Sequence, residues 1–301
     1  MVRLSKENYE RAKDYIFREG RELERAMFQF YFQGGSKEAV LLALSKYQNE
    51  DGGFGHSLES DAALEVSNCL ATSVAFQIIC KLGLSAEDMM VKRGIEFLIR
   101  NYKKEFNGWL WFPPEINEVP RAMWWNFDSN EENKYMPNPA VELTGYLIKF
   151  KELVPEELLE EAVYAAMKYL NENNHSLSMH DIFCYQRMAE FLPENEKISM
   201  LHILEQPILR EVELDHQKWT DYVARPLSYI HSPSDELAKI FTGEQISSNL
   251  DYIIQSQNEE GSWTPNWNWG RFNEQWELAK KEWSGKIALD NLILLKAFGR
   301  I

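Results

Sequence analysis

Apolar residues recur at spacings of three and four along most of the chain, which is the period of a helix with one buried face. Alternating patterns typical of strands are scarce. The pattern predicts about twelve helical segments and therefore an all-α fold. The clearest segments are Tyr9–Phe17, Leu23–Phe32, Val40–Tyr47, Ile95–Tyr102, Leu158–Leu170 and Leu289–Phe298.

One short stretch occurs twice, each time directly after an apolar helical segment. Gln48–Phe54 reads Gln-Asn-Glu-Asp-Gly-Gly-Phe, and Gln257–Trp263 reads Gln-Asn-Glu-Glu-Gly-Ser-Trp. A shorter version, Asn107–Trp109, follows the segment that ends at Tyr102. Positions 53, 108 and 262, taken as equivalent, are 55 and 154 residues apart, and the second spacing is close to three times the first. Six units of roughly fifty residues would fill the chain, as in helical-repeat proteins.

The duplicated stretch has a structural interpretation. A glycine beyond a helix end readily takes the left-handed conformation that stops the helix. The glutamine can satisfy backbone groups at neighbouring helix termini, and the aromatic residue can pack the turn against a neighbouring helix. The residues assigned this role are Gln48, Gly53, Phe54, Gln257, Gly261 and Trp263.

Gln48–Gly55, followed by the helix-like Asn68–Leu82, resembles the glutamine–tryptophan repeats of squalene and terpenoid cyclases and of protein prenyltransferase β-subunits. Gln257–Trp263 resembles them as well. In that superfamily the repeats build an α6–α6 toroid, in which inner helices surround a deep cavity and outer helices are tied together by the repeated residues. The resemblance implies that residues 1–301 form one α/α-toroid domain of about six helical hairpins, in a single-toroid branch of the superfamily.

The chain departs from the catalytic motifs of this superfamily. It has neither the Asp-x-Asp-Asp acid of the protonating cyclases nor the Asp-Asp-x-x-Asp site of the ionisation-dependent synthases. The prenyltransferase zinc motif is Asp-x-Cys with a distant His, whereas His180, Asp181 and Cys184 have a different spacing. The resemblance therefore carries the fold and none of these three activities. Whether the chain is an enzyme, here a cyclase- or transferase-like lyase or isomerase, and whether these three residues bind a metal, stay open.

The composition limits the binding partners and the cellular location that we expect for this protein. The chain has 32 Lys and Arg against 47 Asp and Glu, a net charge of −15 that repels nucleic acid and anionic lipid. The sequence shows no apolar leader and no apolar run of spanning length, so we expect a cytoplasmic protein without integral membrane association. Three cysteines make no disulfide framework. The chain has no glycine-rich phosphate loop, and we predict no cofactor.

The loop after the first repeat carries the candidate catalytic residues His56, Glu59 and Asp61. A histidine and two carboxylates in one short loop are suited to general acid–base chemistry or to holding a divalent ion. In the alternative interpretation, Asp61 or Ser60 caps the next helix while His56 and Glu59 bond local backbone.

Tryptophans in the loops predict a ligand surface, because aromatic side chains outside helical spacing often line concave apolar sites or stack on sugar rings. The residues predicted to bind a ligand are Trp124, Trp125, Asn138, Trp267, Trp269 and Arg271. Polar residues expected to orient a ligand beside these loops include Arg121, Asp128, Glu142, Arg225 and Glu282. Residues 106–137 have little periodicity, which predicts a lid-like insertion at one end of the toroid.

Three functions remain open on the sequence. The first is binding or transformation of an apolar, isoprenoid-like small molecule in an aromatic- and acid-lined cavity. The second is carbohydrate chemistry, as a lyase or glycoside hydrolase, which needs two carboxylates about 5–10 Å apart. The third is a non-catalytic binding or scaffold toroid.

Overall fold

The computed structural model describes residues 2–128 and 134–301. These residues form twelve α-helices and no β-strand, which confirms the predicted all-α class for the part of the chain that is described. Within the same residues no helix has the length and apolar character needed to cross a membrane. The helices are α1 (Lys6–Glu19), α2 (Glu22–Phe32), α3 (Lys37–Ser45), α4 (Cys69–Lys81), α5 (Met89–Asn101), α6 (Pro137–Lys149), α7 (Glu156–Asn173), α8 (Met179–Ala189), α9 (Glu194–Glu211), α10 (Pro226–Tyr229), α11 (Gly243–Gln255) and α12 (Asn273–Ala297).

The helices are distributed over two compact units. One unit comprises Met1–Leu44 together with Glu211–Ile301, and the other comprises Ser45–Arg210. Each unit contains one copy of the duplicated stretch. The closure of the whole chain into one α/α-toroid domain stays a prediction.

Helix α6 forms the centre of the Ser45–Arg210 unit, where it packs against α4, α7 and α8. Ten of its thirteen residues are buried, so the helix is surrounded on nearly all sides. Gly145 lets α8 approach closely, because a Cβ atom at this position would lie 2.8 Å from the Met188 Cα. Polar residues of α6 that face α8 are consequently held inside the unit.

In the other unit, the long helix α12 packs against α1 and α2. The two chain ends are fastened to each other, since the Leu4 amide donates to the Arg300 carbonyl at 2.9 Å. Arg300 is buried, and its guanidinium donates to Asp251 Oδ1 at 2.5 Å and to Ser247 Oγ at 2.9 Å. The last residues of the chain are thereby tied to α11.

The first repeat forms a tight turn that joins two helices. Gln48 Nε2 donates to the Gly52 carbonyl at 2.9 Å and to the Met90 carbonyl at 3.0 Å. Met90 lies in the first turn of α5, so the glutamine binds a carbonyl at a helix start rather than one at a helix end. Phe54 is fully buried, and its amide donates to Thr72 Oγ1 of α4 at 3.1 Å.

The second repeat reproduces these bonds in the other unit. Gln257 Nε2 donates at 2.9 Å to the Gly261 carbonyl and at 2.9 Å to the carbonyl of Asn8, in the first turn of α1. The indole of Trp263 donates to the Ile253 carbonyl at 2.7 Å. Ile253 belongs to α11, the helix that precedes the turn. The aromatic residue therefore bonds its own helix, while the glutamine makes the contact to a different helix.

The glycine with the left-handed conformation differs from the one expected in the first copy. Gly52 has φ +90° and Gly261 has φ +97°, whereas Gly53 is absent from the positive-φ residues. The prediction of a left-handed Gly53 is wrong. Gly53 is small for another reason, because a Cβ atom there would lie 2.6 Å from the Phe97 ring and from Ser67 Cβ.

The third version of the repeat keeps part of the same bonding. The Lys103 amide donates to the Gly108 carbonyl at 2.8 Å, as the Asn49 amide does to the Gly53 carbonyl at 2.9 Å. Trp109 is buried, and its Nε1 donates to the Leu98 carbonyl of α5 at 2.8 Å. This indole bonds the helix before its turn, as Trp263 does.

The described part of the predicted insertion, 106–128 and 134–137, packs on the segment before α4. Arg121 is buried and holds the loop together through bonds to the Asn117 carbonyl at 3.1 Å and to Asn126 Oδ1 at 2.9 Å. Residues 129–133 of this prediction lie outside the described residues, and the lid role stays a prediction. The apolar cluster beneath the loop consists of Ala62, Leu64, Leu70, Phe112 and Ile116, with Trp111, Val119, Trp125 and Phe127 at its edge.

Candidate functional site

A buried ion pair joins α6 to α8 in the Ser45–Arg210 unit. Glu142 of α6 has a side chain that is only 3% exposed, and its Oε2 accepts from Arg187 Nη1 of α8 at 2.7 Å. Its Oε1 accepts from the Tyr146 hydroxyl at 2.5 Å. The Cys184 thiol lies 3.7 Å from Oε2. Both carboxylate oxygens are therefore occupied as acceptors.

The helical period explains why these groups meet. Asn138, Glu142 and Tyr146 are spaced by four on α6, and residues at this spacing lie on one helix face. Cys184 and Arg187 are three apart on α8 and share a face in the same way. The close packing of α6 on α8 brings the two polar faces together.

Arg187 is charged although much of it is enclosed by protein. Burial, the largest single influence, lowers the pKa of its guanidinium, but Glu142, Cys184 and Tyr146 together raise it, and the pKa ends above its ordinary value. The side chain nevertheless keeps 37% of its surface exposed. Arg187 is therefore partly accessible to solvent at the contact between α6 and α8.

Asn138, one of the predicted ligand residues, lies beside this pair. Its backbone is non-helical inside the first turn of α6, with φ −92° and ψ 119°. The Trp111 indole donates to its carbonyl, and the Cys184 thiol lies 3.7 Å from its side-chain oxygen Oδ1. Trp111 also borders a pocket of about 130 Å³, whose other lining residues are Trp109, Leu110, Asn126, Asp128, Lys134 and Met136.

The cysteine thiols of this unit are protonated at neutral pH. Burial raises the pKa of Cys69 and of Cys80 to about 12. Burial and the Glu142 carboxylate raise the pKa of Cys184 well above its ordinary value. A thiol is a weak nucleophile and a poor metal ligand compared with a thiolate, so Cys184 contributes a neutral group to the site.

These raised pKa values predict a loss of stability at alkaline pH. Unfolded thiols lose their protons near the ordinary pKa of 9.0, whereas the folded Cys69 and Cys80 keep theirs up to about pH 12. Their stabilising contribution is therefore complete below pH 9 and is lost as the pH rises towards 12. Each such thiol lowers the free energy of unfolding by about 1.4 kcal/mol per pH unit in this window.

Urea unfolding at pH 8.0, 9.5 and 10.5 measures this dependence, with Cys80→Ala as the comparison variant. The variant should lose stability less steeply than the wild type above pH 9. Parallel curves for the two proteins would contradict the assigned pKa shift of Cys80.

His180 and Asp181 do not form a metal site with Cys184. Asp181 Oδ2 accepts from the Ser178 amide at 2.9 Å and from its hydroxyl at 2.8 Å, which is the capping box that starts α8. Burial lowers the pKa of His180. No group of three or more His, Cys, Asp or Glu side chains in residues 2–128 and 134–301 is arranged to hold a metal ion.

The predicted catalytic residues occupy the loop after the first repeat. His56 is exposed with φ +53°, and its Nε2 lies 2.7 Å from Asn49 Oδ1. Glu59 is half-buried, and its Oε1 lies 3.4 Å from the Asp61 amide. Asp61 is buried, and its carbonyl accepts from the Ala122 amide at 2.9 Å. Thus Glu59 bonds local backbone, and the catalytic assignment of the three residues stays a prediction.

The predicted ligand tryptophans of the Ser45–Arg210 unit differ in environment. Trp124 is 42% exposed. Trp125 packs edge-on against Trp111, with ring centroids 4.9 Å apart, and against Phe112 at 5.3 Å. Its Nε1 is buried without a hydrogen-bond partner among the described residues.

The remaining predicted ligand residues belong to the other unit. Trp267 is half-buried between the rings of Trp283 at 5.0 Å and Tyr222 at 5.6 Å. Trp269 is fully buried against Trp276, so its ring is part of the core. Arg271 is half-buried. The six predicted ligand residues are thus divided between the two units.

Arg187 is the functional candidate that sequence reasoning missed. Its signal was the spacing of His180, Cys184 and Arg187 at i, i+4 and i+7 on α8, which places three polar or titratable side chains on one helix face. The other polar candidates are placed elsewhere: Arg121 inside its loop, Asp128 at the pocket rim, Arg225 over the Tyr252 ring at 5.0 Å, and Glu282 half-buried on α12.

The sequence matches no protein-family model and none of the curated proteins with which it was compared.

Proposed function

We propose that this protein binds a small apolar, isoprenoid-like molecule within an α/α toroid, in a chamber that extends from the pocket beside Trp111 to α6 and α8. The observation that carries the proposal is the buried Glu142–Arg187 pair on these two helices. A desolvated ion pair contributes little net stability, and perturbed titratable groups cluster at functional sites. A pair of this kind on a largely apolar helix is therefore better explained by a ligand than by folding alone.

The order of the helices supports the toroid part of the proposal. In the Ser45–Arg210 unit, α4, α6 and α8 pack in succession, and α5 and α7 alternate with them along the chain. This is the alternation of inner and outer helices that a toroid requires. The proposal also keeps the cytoplasmic location and the exclusion of nucleic acid, both of which rest on the sequence and its charge.

Aromatic side chains near the pair support an apolar ligand. Trp111 is fixed to Asn138 at the start of α6 and borders a pocket with Trp109 and Met136. Flat apolar side chains with few polar groups are typical of small-molecule sites. The two candidate carboxylates for sugar hydrolysis, Glu59 and Asp61, lie in a loop with contacts to local backbone, so the geometry favours binding over that chemistry.

Native mass spectrometry of the purified full chain from several expression hosts tests the proposal. We expect an added mass that organic extraction identifies as a small apolar molecule. Trp111→Ala should lower the occupied fraction, because it removes a pocket wall. The matched control is Tyr164→Ala on α7, which removes an aromatic ring that is 68% exposed and should leave occupancy unchanged. Bare protein from every host would overturn the proposal.

A further inference from the structure

Arg187 has one occupied edge and one open edge. Its Nη1 is held by Glu142 Oε2 at 2.7 Å. Nε and Nη2 form the opposite edge of the guanidinium, and neither has a hydrogen-bond partner in the part of the chain that is described. Neither atom is among the buried unpartnered atoms, so both keep contact with solvent. The side chain therefore offers two parallel N–H donors to a ligand.

The occupied edge fixes the orientation of the open one. Glu142 is itself held by the Tyr146 hydroxyl at 2.5 Å, and its backbone lies in a helix that is buried on nearly all sides. The guanidinium plane consequently keeps its position before any ligand arrives. Preorganised donors bind more tightly because less side-chain entropy is lost on binding.

We propose that Arg187 binds the carboxylate of a ligand that has a single negative charge and an apolar body. The Nε–Nη2 edge matches a planar carboxylate in a bidentate geometry. Glu142 neutralises the charge of Arg187, so a dianion such as a phosphate monoester would meet stronger repulsion from Glu142 than a carboxylate would. The neutral Cys184 thiol, 3.7 Å from Glu142 Oε2, adds no charge. This inference rests on the proposed function for the apolar body of the ligand.

Isothermal titration calorimetry with three probes of equal chain length tests the inference on the full wild-type chain. The probes are decanoate, decanol and decyl phosphate. A bidentate, charge-assisted contact predicts that decanoate binds about tenfold more tightly than decanol. Decyl phosphate should bind more weakly than decanoate. This comparison needs no variant and is independent of any folding defect.

Arg187→Lys tests the two-donor geometry of the guanidinium independently of its charge, because lysine keeps a cation beside Glu142. It should weaken decanoate binding about tenfold and weaken decanol binding much less, because the alcohol makes no bidentate contact. The control is Lys104→Met, which removes a cation whose side chain is 64% exposed and should alter neither affinity.

The outcomes distinguish the two proposals. Equal affinities for decanoate and decanol, or decanoate binding that Arg187→Lys does not weaken, would overturn the carboxylate inference and leave the apolar chamber standing. A co-purified ligand without a carboxylate would do the same. Failure of all three probes together with bare protein in native mass spectrometry would overturn the proposed function itself.

Discussion

Gly52→Ala is expected to lower the free energy of unfolding by about 3 kcal/mol or more. Gly52 has φ +90°, a backbone conformation that is strained for any residue with a side chain. A Cβ atom there would lie 2.3 Å from the carbonyl oxygen of Arg93. That oxygen belongs to the backbone of α5 and cannot move without shifting the helix. Urea unfolding followed by circular dichroism measures the loss.

Gly261→Ala tests the same geometry in the second repeat. Gly261 has φ +97°, and an added Cβ atom would lie 2.3 Å from the carbonyl carbon and oxygen of Arg11 on α1. We expect a loss of the same size, about 3 kcal/mol or more.

Two other glycines distinguish the cost of backbone strain from the cost of a steric clash with neighbouring backbone. Gly34 and Gly83 have φ +68° and +66°, and a Cβ atom at either would meet nothing within 4 Å. Gly34→Ala and Gly83→Ala should lower the free energy of unfolding only through the cost of the positive φ, by about 1 kcal/mol each. Equal losses for all four variants would contradict the backbone contact at the repeats and attribute the whole effect to φ.

The repeats show which features of the structure can be predicted from the sequence. Their duplication predicted a shared turn, and both copies make the same glutamine bonds. The partners of those bonds were not predictable, because the glutamines bind the backbone carbonyls of Met90 and Asn8. A backbone acceptor leaves no side-chain signature in its own sequence. The left-handed glycine is the one that both copies share, because their alignment pairs Gly52 with Gly261 and Gly53 with Ser262.

The candidate site was only partly predictable. Asn138 was singled out because it flanks an aromatic loop, and it lies beside the ion pair. Arg187 was missed because it lies in the last turn of α8, where a basic residue is ordinarily explained by the helix dipole rather than by a site. The pairing of Glu142 with Arg187 depends on the approach of α6 to α8, which a residue pattern within either helix alone does not specify.

The six predicted ligand residues show that a position in a loop does not predict whether a tryptophan is buried or exposed. Trp269 carries the same loop signature as Trp124, yet Trp269 is fully buried and Trp124 is 42% exposed. A tryptophan in a loop has enough apolar surface to fill the core or to line a site, and its position in sequence does not separate the two outcomes. Burial is a property of the surrounding packing, which only the structure supplies.

Arg187→Met is expected to lower the free energy of unfolding by about 3–5 kcal/mol. It leaves Glu142, whose side chain is 3% exposed, as an unpaired carboxylate inside the unit. Glu142→Gln should cost less, about 1–2 kcal/mol, because the Arg187 side chain that it leaves uncompensated is 37% exposed to solvent. Glutamine also retains an oxygen that accepts from Tyr146.

The double variant Arg187→Met with Glu142→Gln completes the cycle, because it removes both charges together. We expect the double variant to be more stable than the Arg187→Met single variant, with an interaction energy of about 2 kcal/mol. Lys92→Met serves as the surface control: its partner Glu87 is 89% exposed, and its loss should cost less than about 0.5 kcal/mol. If the two single losses simply added in the double variant, Glu142 and Arg187 would not be coupled. The proposed carboxylate contact would then lack a guanidinium whose position Glu142 fixes.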